Sequence, residues 1–177
     1  PHPRFTPDVA GTYELRRKGG NETVTLTAVA ETPSARFRNH HLTPLFGMAP
    51  VGGELWVAGG ASYTIARIGS QGDALVKTGE VAVGSWPAAV AWRDPLPYAL
   101  VAQRGSDTVG FVNIARGVLE DALWVGDEPT GLALSPDAQT LYVSLATERA
   151  VAVVDLPSRT VRGRVAVGFD PRAMALS

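Results

Sequence analysis

The residues able to do chemistry in this sequence are few, and most of them stand beside three prolines. Trp86 precedes Pro87, Asp127 and Glu128 precede Pro129, and Asp170 precedes Pro171 with Arg172 after it. An indole offers a flat apolar face, carboxylates attract cations, and a guanidinium grips carboxylate or phosphate with a planar fork. These five residues are the ligand-binding candidates. Ordinary packing between neighbouring elements is the competing reading of Trp86. A calcium site needs six to eight converging oxygens, and two adjacent acids that recur weakly fall short of it. His40 and His41 are further candidates for ligand contact. Adjacent residues on a strand point to opposite faces, and no acid or further histidine stands close in sequence. The pair therefore reads as surface or channel-mouth histidines, and no metal site is expected.

Catalytic signatures are thin. The chain holds no Gly-x-Ser-x-Gly elbow, no His-Glu-x-x-His and no glycine-rich phosphate loop. It has no cysteine, which removes disulfides, thiolate ligands, cysteine nucleophiles and c-type haem attachment. No catalytic residue is assigned and no cofactor is expected. A net charge of −1 argues against nucleic acid, whose phosphates call for a basic surface. Hydrophobic content of 45% suffices for a packed core. No apolar run reaches the roughly 18 residues of a membrane span.

What positions the candidates is a repeat. Val83-Gly84-Ser85-Trp86-Pro87, Val125-Gly126-Asp127-Glu128-Pro129 and Val167-Gly168-Phe169-Asp170-Pro171 recur every 42 residues. A fixed period between about 20 and 50 residues marks a repeat architecture. After Glu128 the pattern predicts four strands: 131–135, 140–145, 150–156 and 160–167. The second and third carry apolar residues on both faces, so both faces need cover. The fourth alternates, as a solvent-facing strand does. Ser135-Pro136-Asp137-Ala138-Gln139 is a turn with Ala where Gly is commoner, which predicts a turn without a positive φ. The preceding copy fits without gaps, and the first fits at an offset of 44, with 45–50 lying on 131–136. Arg67 falls on Phe111, a core position elsewhere, so irregularity is expected there. The loop acids Asp107 and Glu148 read as solvated turn residues. A four-stranded antiparallel unit covered on both faces by copies of itself is a propeller blade.

The first residues are different. Pro7, Asp8 and Gly11 are turn formers, and Val24, Leu26, Ala28 and Ala30 alternate with Thr23, Thr25, Thr27 and Val29. Period two with Thr and Val makes a half-buried strand, and Gly19-Gly20 predicts a hairpin turn before it. Glu31-Thr32-Pro33-Ser34 reads as a linker.

Two resemblances follow from these residues. Gly11-Thr12-Tyr13-Glu14-Leu15 with Val24-Thr25-Leu26-Thr27 resembles the last two strands of a PKD-type immunoglobulin-like domain. Val-Gly-x-x-Pro-x-Gly-x-Ala-x-Ser-Pro-Asp, then Leu141-Tyr142-Val143-Ser144 and Val151-Ala152-Val153-Val154-Asp155, resembles the YVTN-type β-propeller repeat of bacterial and archaeal surface proteins.

The fold expected is all-β: a partial β-propeller of about three four-stranded antiparallel blades after an N-terminal β-hairpin from an Ig-like domain. Residues 1–33 are the hairpin and linker, and 34–177 the propeller. Its blades are expected at about 45–83, 87–125 and 129–167, with a fourth beginning at 171. Propellers have roughly four to eight blades, so the remaining ones are expected from a longer chain or from partner chains. The resemblance implies a non-catalytic, extracytoplasmic module for protein or glycan binding or for surface scaffolding. Related propellers give the alternative: part of a quinone- or haem-associated redox enzyme, or of a lactonase. In that case His40, His41 and Arg172 are the residues near the channel ends.

Overall fold

The computed structural model describes residues 11–16, 23–28 and 47–175 of the chain. They belong to two compact units, Pro1–His41 and Leu42–Ser177. In the first, β1 (Gly11–Arg16) and β2 (Thr23–Ala28) pair antiparallel, with Gly11 opposite Ala28 and Arg16 opposite Thr23. The hairpin turn at Gly19-Gly20, the linker at 31–34 and His40 and His41 lie outside the described residues.

The second unit is all-β. Its first sheet comprises β3 (Met48–Val51), β4 (Glu54–Ala58), β5 (Thr64–Gln71) and β6 (Ala74–Ala82). The next comprises β7 (Pro87–Ala91), β8 (Tyr98–Gln103), β9 (Thr108–Asn113) and β10 (Val118–Trp124). The last comprises β11 (Pro129–Leu134), β12 (Thr140–Leu145), β13 (Ala150–Asp155) and β14 (Thr160–Ala166). Each sheet is an antiparallel meander in chain order, the form of a propeller blade. Among the described residues no helix is long and apolar enough to cross a membrane.

Strand β8 shows why Ala99 to Ala102 are all apolar. Ala99 and Val101 pack toward the first blade, among Val51, Trp56, Ile65 and Val81. Leu100 points the other way, among Phe111, Leu141, Val143 and Val154. A strand covered on both faces loses the polar half of its alternation. The outer strand β14 keeps only Val161 half-buried and exposes the rest. Phe111 is the largest fully buried side chain between the second and third blades. Tyr98 meets it edge-on at 5.2 Å, and the Arg159 guanidinium lies 4.4 Å from its ring centroid.

Ladder registers and backbone dihedrals bear on three expectations. Ala49 lies opposite Trp56 as Ala133 lies opposite Tyr142, so Gly47, and not Leu45, corresponds to Gly131. The first blade lacks two residues in its Gly52-Gly53 turn, where φ is 56° and 89°. Its β5–β6 hairpin is correspondingly longer, which restores the period at Val83. The register does shift beside Arg67, but it shifts at the equivalent point of every outer strand: Thr78, Glu120 and Arg162 are each skipped. Arg67 is therefore not the cause. It pairs with Glu54 at 2.7 Å and lies over Trp56. Finally, Ala138 has φ 55°, against the expected turn. Its N–H donates to Ser135 O, and Gln139 N–H donates to Asp137 Oδ1. These bonds close a turn followed by a left-handed residue, a position at which alanine's single methyl is the least obstructive side chain after glycine.

Neighbouring inner strands approach closely at a row of small residues. Gly47 N–H donates to Ala88 O at 2.7 Å, and a Cβ on Gly47 would lie 2.8 Å from Ala89 Cα. At the equivalent Gly131, a Cβ would run into the carbonyl oxygen of Arg172. The segment 171–175, expected as a strand, forms no ladder, and it is tied to β11 and β12 by side chains instead. Thr130 Oγ1 donates to Pro171 O at 2.9 Å and Ser144 Oγ to Arg172 O at 2.6 Å. Because backbone obstructs the Gly47 position, Gly47→Ala is expected to lower stability by about 1–3 kcal/mol. A urea denaturation midpoint equal to that of the unsubstituted chain would contradict the close approach.

Candidate functional site

Each Val-Gly-x-x-Pro segment is the joint between an outer strand and the inner strand that follows it. The residue before each proline is left-handed: φ is 53° at Trp86, 53° at Glu128 and 50° at Asp170. Such a backbone costs on the order of 1–3 kcal/mol for a residue other than glycine and persists only where its surroundings over-determine it. Here they do. Val83, Val125 and Val167 N–H groups donate to Tyr63, Asp107 and Arg149 carbonyls at 2.8, 3.1 and 2.8 Å. On the other side, Arg104 N–H donates to Trp86 O and Ala146 N–H to Glu128 O, at 2.9 and 3.1 Å.

Side chains complete the clamp. Ser85 N–H donates to Ser106 Oγ, and one repeat later Asp127 N–H donates to Glu148 Oε1. Glu128 N–H donates to Asp107 Oδ1 at 2.9 Å. Asp107 and Glu148 are thus caps on joint backbone and not freely solvated turn residues. Glu148 also pairs with Arg164 at 3.0 Å.

The joints and the loops beside them line two open clefts. One, of about 360 Å³, is bounded by Ser85, Trp86, Arg104, Gly105 and Glu128. The other, of about 410 Å³, runs from Arg104 and Glu128 past Thr147 and Arg149 to Phe169, Asp170 and Arg172. The two meet at the Arg104–Glu128 ion pair, 3.1 Å long. Thr147 Oγ1 donates to the other oxygen of Glu128 at 2.9 Å. Arg172 pairs with Asp170 at 2.8 Å. Arg149 stacks over Phe169, 5.0 Å from the ring centroid. Phe169 is 80% exposed and Trp86 44%.

Four of the five joint candidates therefore come together: Trp86, Glu128, Asp170 and Arg172. Asp127 is exposed and lines neither cleft, because its backbone is turned toward Glu148. Arg172 also borders a third cleft of about 360 Å³ along the inner strands, beside Met48, Val90, Thr130 and Leu132. Residue-type reasoning missed Arg104, Thr147 and Arg149. Arg104 and Arg149 stand in the loops before β9 and β13, but they are not equivalent to each other in the repeat. A search for recurring charges passes over them, and only spatial proximity joins them. Among the described residues no three His, Cys, Asp or Glu side chains converge as a metal-ligand group.

No protein-family profile and no curated protein sequence matches the chain. Among solved structures it is similar to hydrazine synthase of Kuenenia stuttgartiensis, at 25% identity and a TM-score of 0.66. The likeness covers 81% of this chain and 42% of that one. The blades are those of a β-propeller. This chain spans about two-fifths of the length of the hydrazine synthase chain.

The Thr147 hydroxyl, and after it Arg104, holds the Glu128 carboxyl below the ordinary glutamate value of 4.5, while burial and the Asp170 charge act the other way. A carboxylate lowered in the folded state stabilises the fold above its unfolded pKa and loses that contribution as pH falls through the folded one. Stability is accordingly expected to decline on acidification below about 4.5, and less steeply in Thr147→Val. In an NMR titration Glu128 should have its midpoint below 4.5, moving up toward that value in Thr147→Val. An unchanged midpoint would remove the hydroxyl as the cause.

Proposed function

We propose that this chain is part of a non-catalytic, extracytoplasmic β-propeller module that binds protein or glycan through its joint-loop face. The observation that carries the reading is the pair of exposed aromatics, Trp86 and Phe169, at the two ends of an arginine-lined groove. Aromatic rings and arginines on loops fixed by a rigid scaffold suit recognition. The carboxylates in the groove are committed to arginine partners. Glu128 is shifted toward permanent ionisation, the opposite of what a general acid needs near neutrality. The resemblance of the repeat to YVTN propellers, and of the N-terminal strands to a PKD domain, supports a place at the cell surface. Further blades would come from a longer chain or from partner chains.

The second reading makes the chain a lobe of a redox propeller, or of a lactonase. The likeness to a hydrazine synthase favours the redox form. Of the residues that reading would use, His40 and His41 lie outside the described residues, and Arg172 is paired with Asp170.

Two measurements separate the readings. Full-length protein purified from its source should show no visible absorption band; a bound chromophore would overturn the binding-module reading. Indole N–H resonances should report contact when the protein is titrated with a panel of oligosaccharides and peptides. Trp86 is expected to shift while the buried Trp56 stays fixed. Shifts confined to residues away from the joint loops would place the site elsewhere.

A further inference from the structure

We propose that the groove between Trp86 and Phe169 takes an acidic polysaccharide: a chain of sugar rings bearing carboxylates. This rests on the binding-module reading and names its ligand. The groove has the parts such a ligand requires. The two clefts share Arg104 and Glu128, so an extended chain laid along them meets an aromatic ring at each end. Flat rings offer apolar faces for the C–H surfaces of sugars, and few torsions freeze on contact.

Charge selects among sugars. The larger cleft holds three arginines against two carboxylates. Arg104 and Arg172 are each tied to one of those carboxylates. Arg149 is different: among the described residues it makes no ion pair, and its guanidinium is oriented only by the Phe169 ring. Its fork remains open to an incoming carboxylate, and it is already oriented, so less side-chain entropy is lost on binding. The sugar face and its carboxylate would then be read side by side, by Phe169 and Arg149.

The same groove is poor for an extended peptide. Strand addition needs unpaired backbone donors and acceptors along an edge. The N–H groups along this rim are used: Arg104 donates to Trp86 O, Gly105 to Ser85 O and Ala146 to Glu128 O.

The test is calorimetric titration of the protein with an oligogalacturonate, its methyl ester and an oligoglutamate of equal length, with the Trp86 indole followed by NMR. The oligogalacturonate should bind, shift Trp86 and weaken with added salt. The methyl ester and the oligoglutamate should bind at least about tenfold more weakly, the scale of a lost charge-assisted bond. Arg149→Gln should weaken the acidic sugar by a similar factor and leave the ester unaffected, with Arg149→Lys between them. Phe169→Ala should weaken both sugars. Thermal melts establish that each variant is folded. Equal binding of the ester, or of the oligoglutamate, would overturn the acidic-sugar assignment while leaving a binding face. Silence of Trp86 toward all three probes would overturn the assignment and count against the binding-module reading itself.

Discussion

The N–H of Val125 donates to the carbonyl of Asp107, and the same bond recurs from Val83 to Tyr63 and from Val167 to Arg149. These bonds fasten the end of each outer strand to the loop between the two middle strands of its own blade. Without them the chain would have no reason to enter the left-handed region at Trp86, Glu128 and Asp170. With them, the backbone before each proline turns sharply, and the following inner strand starts beside the close-packed row at Gly47, Ala89 and Gly131. Side chains at the joints inherit their direction from this constraint. Trp86 is exposed because its backbone is clamped, and the groove on the loop face exists because consecutive joints are clamped alike.

The architecture was legible because it is written twice, in the period and in the polarity of each strand. Ala99 to Ala102 and Val109 to Val112 are free of charge since blades cover both faces, whereas Thr160 to Ala166 carries charge since it meets water. Less legible were features that leave no compositional trace. The skipped residues Thr78, Glu120 and Arg162 are ordinary strand residues, and nothing in an alternating pattern announces that one of them lies outside the ladder. The two-residue slip in the first blade was invisible because the short Gly52-Gly53 turn and the long β5–β6 hairpin cancel over a full repeat. Ala138 misled because the positive φ is imposed by bonds to Ser135 and Asp137 and not by the residue itself.

The candidate site was legible where it coincides with the repeat. Trp86, Glu128 and Asp170 occupy one repeat position, so aligning the joints found all three. Arg104 and Arg149 come from different positions in consecutive blades, and they meet only through the curvature that brings the joints side by side. Asp127 shows the converse: it adjoins Glu128 in sequence, yet the left-handed step between them sends the two carboxylates to different surroundings. Adjacency in sequence is a weak guide wherever the backbone reverses hand.

The bulges in the outer strands have a consequence for behaviour in a crowded solution. An outermost strand presents unpaired amides and carbonyls to any neighbour that can zip onto it. A continuous ladder would make β10 and β14 templates for another copy of the same strand. At Glu120 and Arg162 the ladder breaks, the twist tightens and a charged residue interrupts the strand. Thr78 interrupts the first blade at the same height. A chain that repeats one sheet again and again multiplies its risk of adhering to itself, and this break, copied with the repeat, guards each exposed margin at the same point.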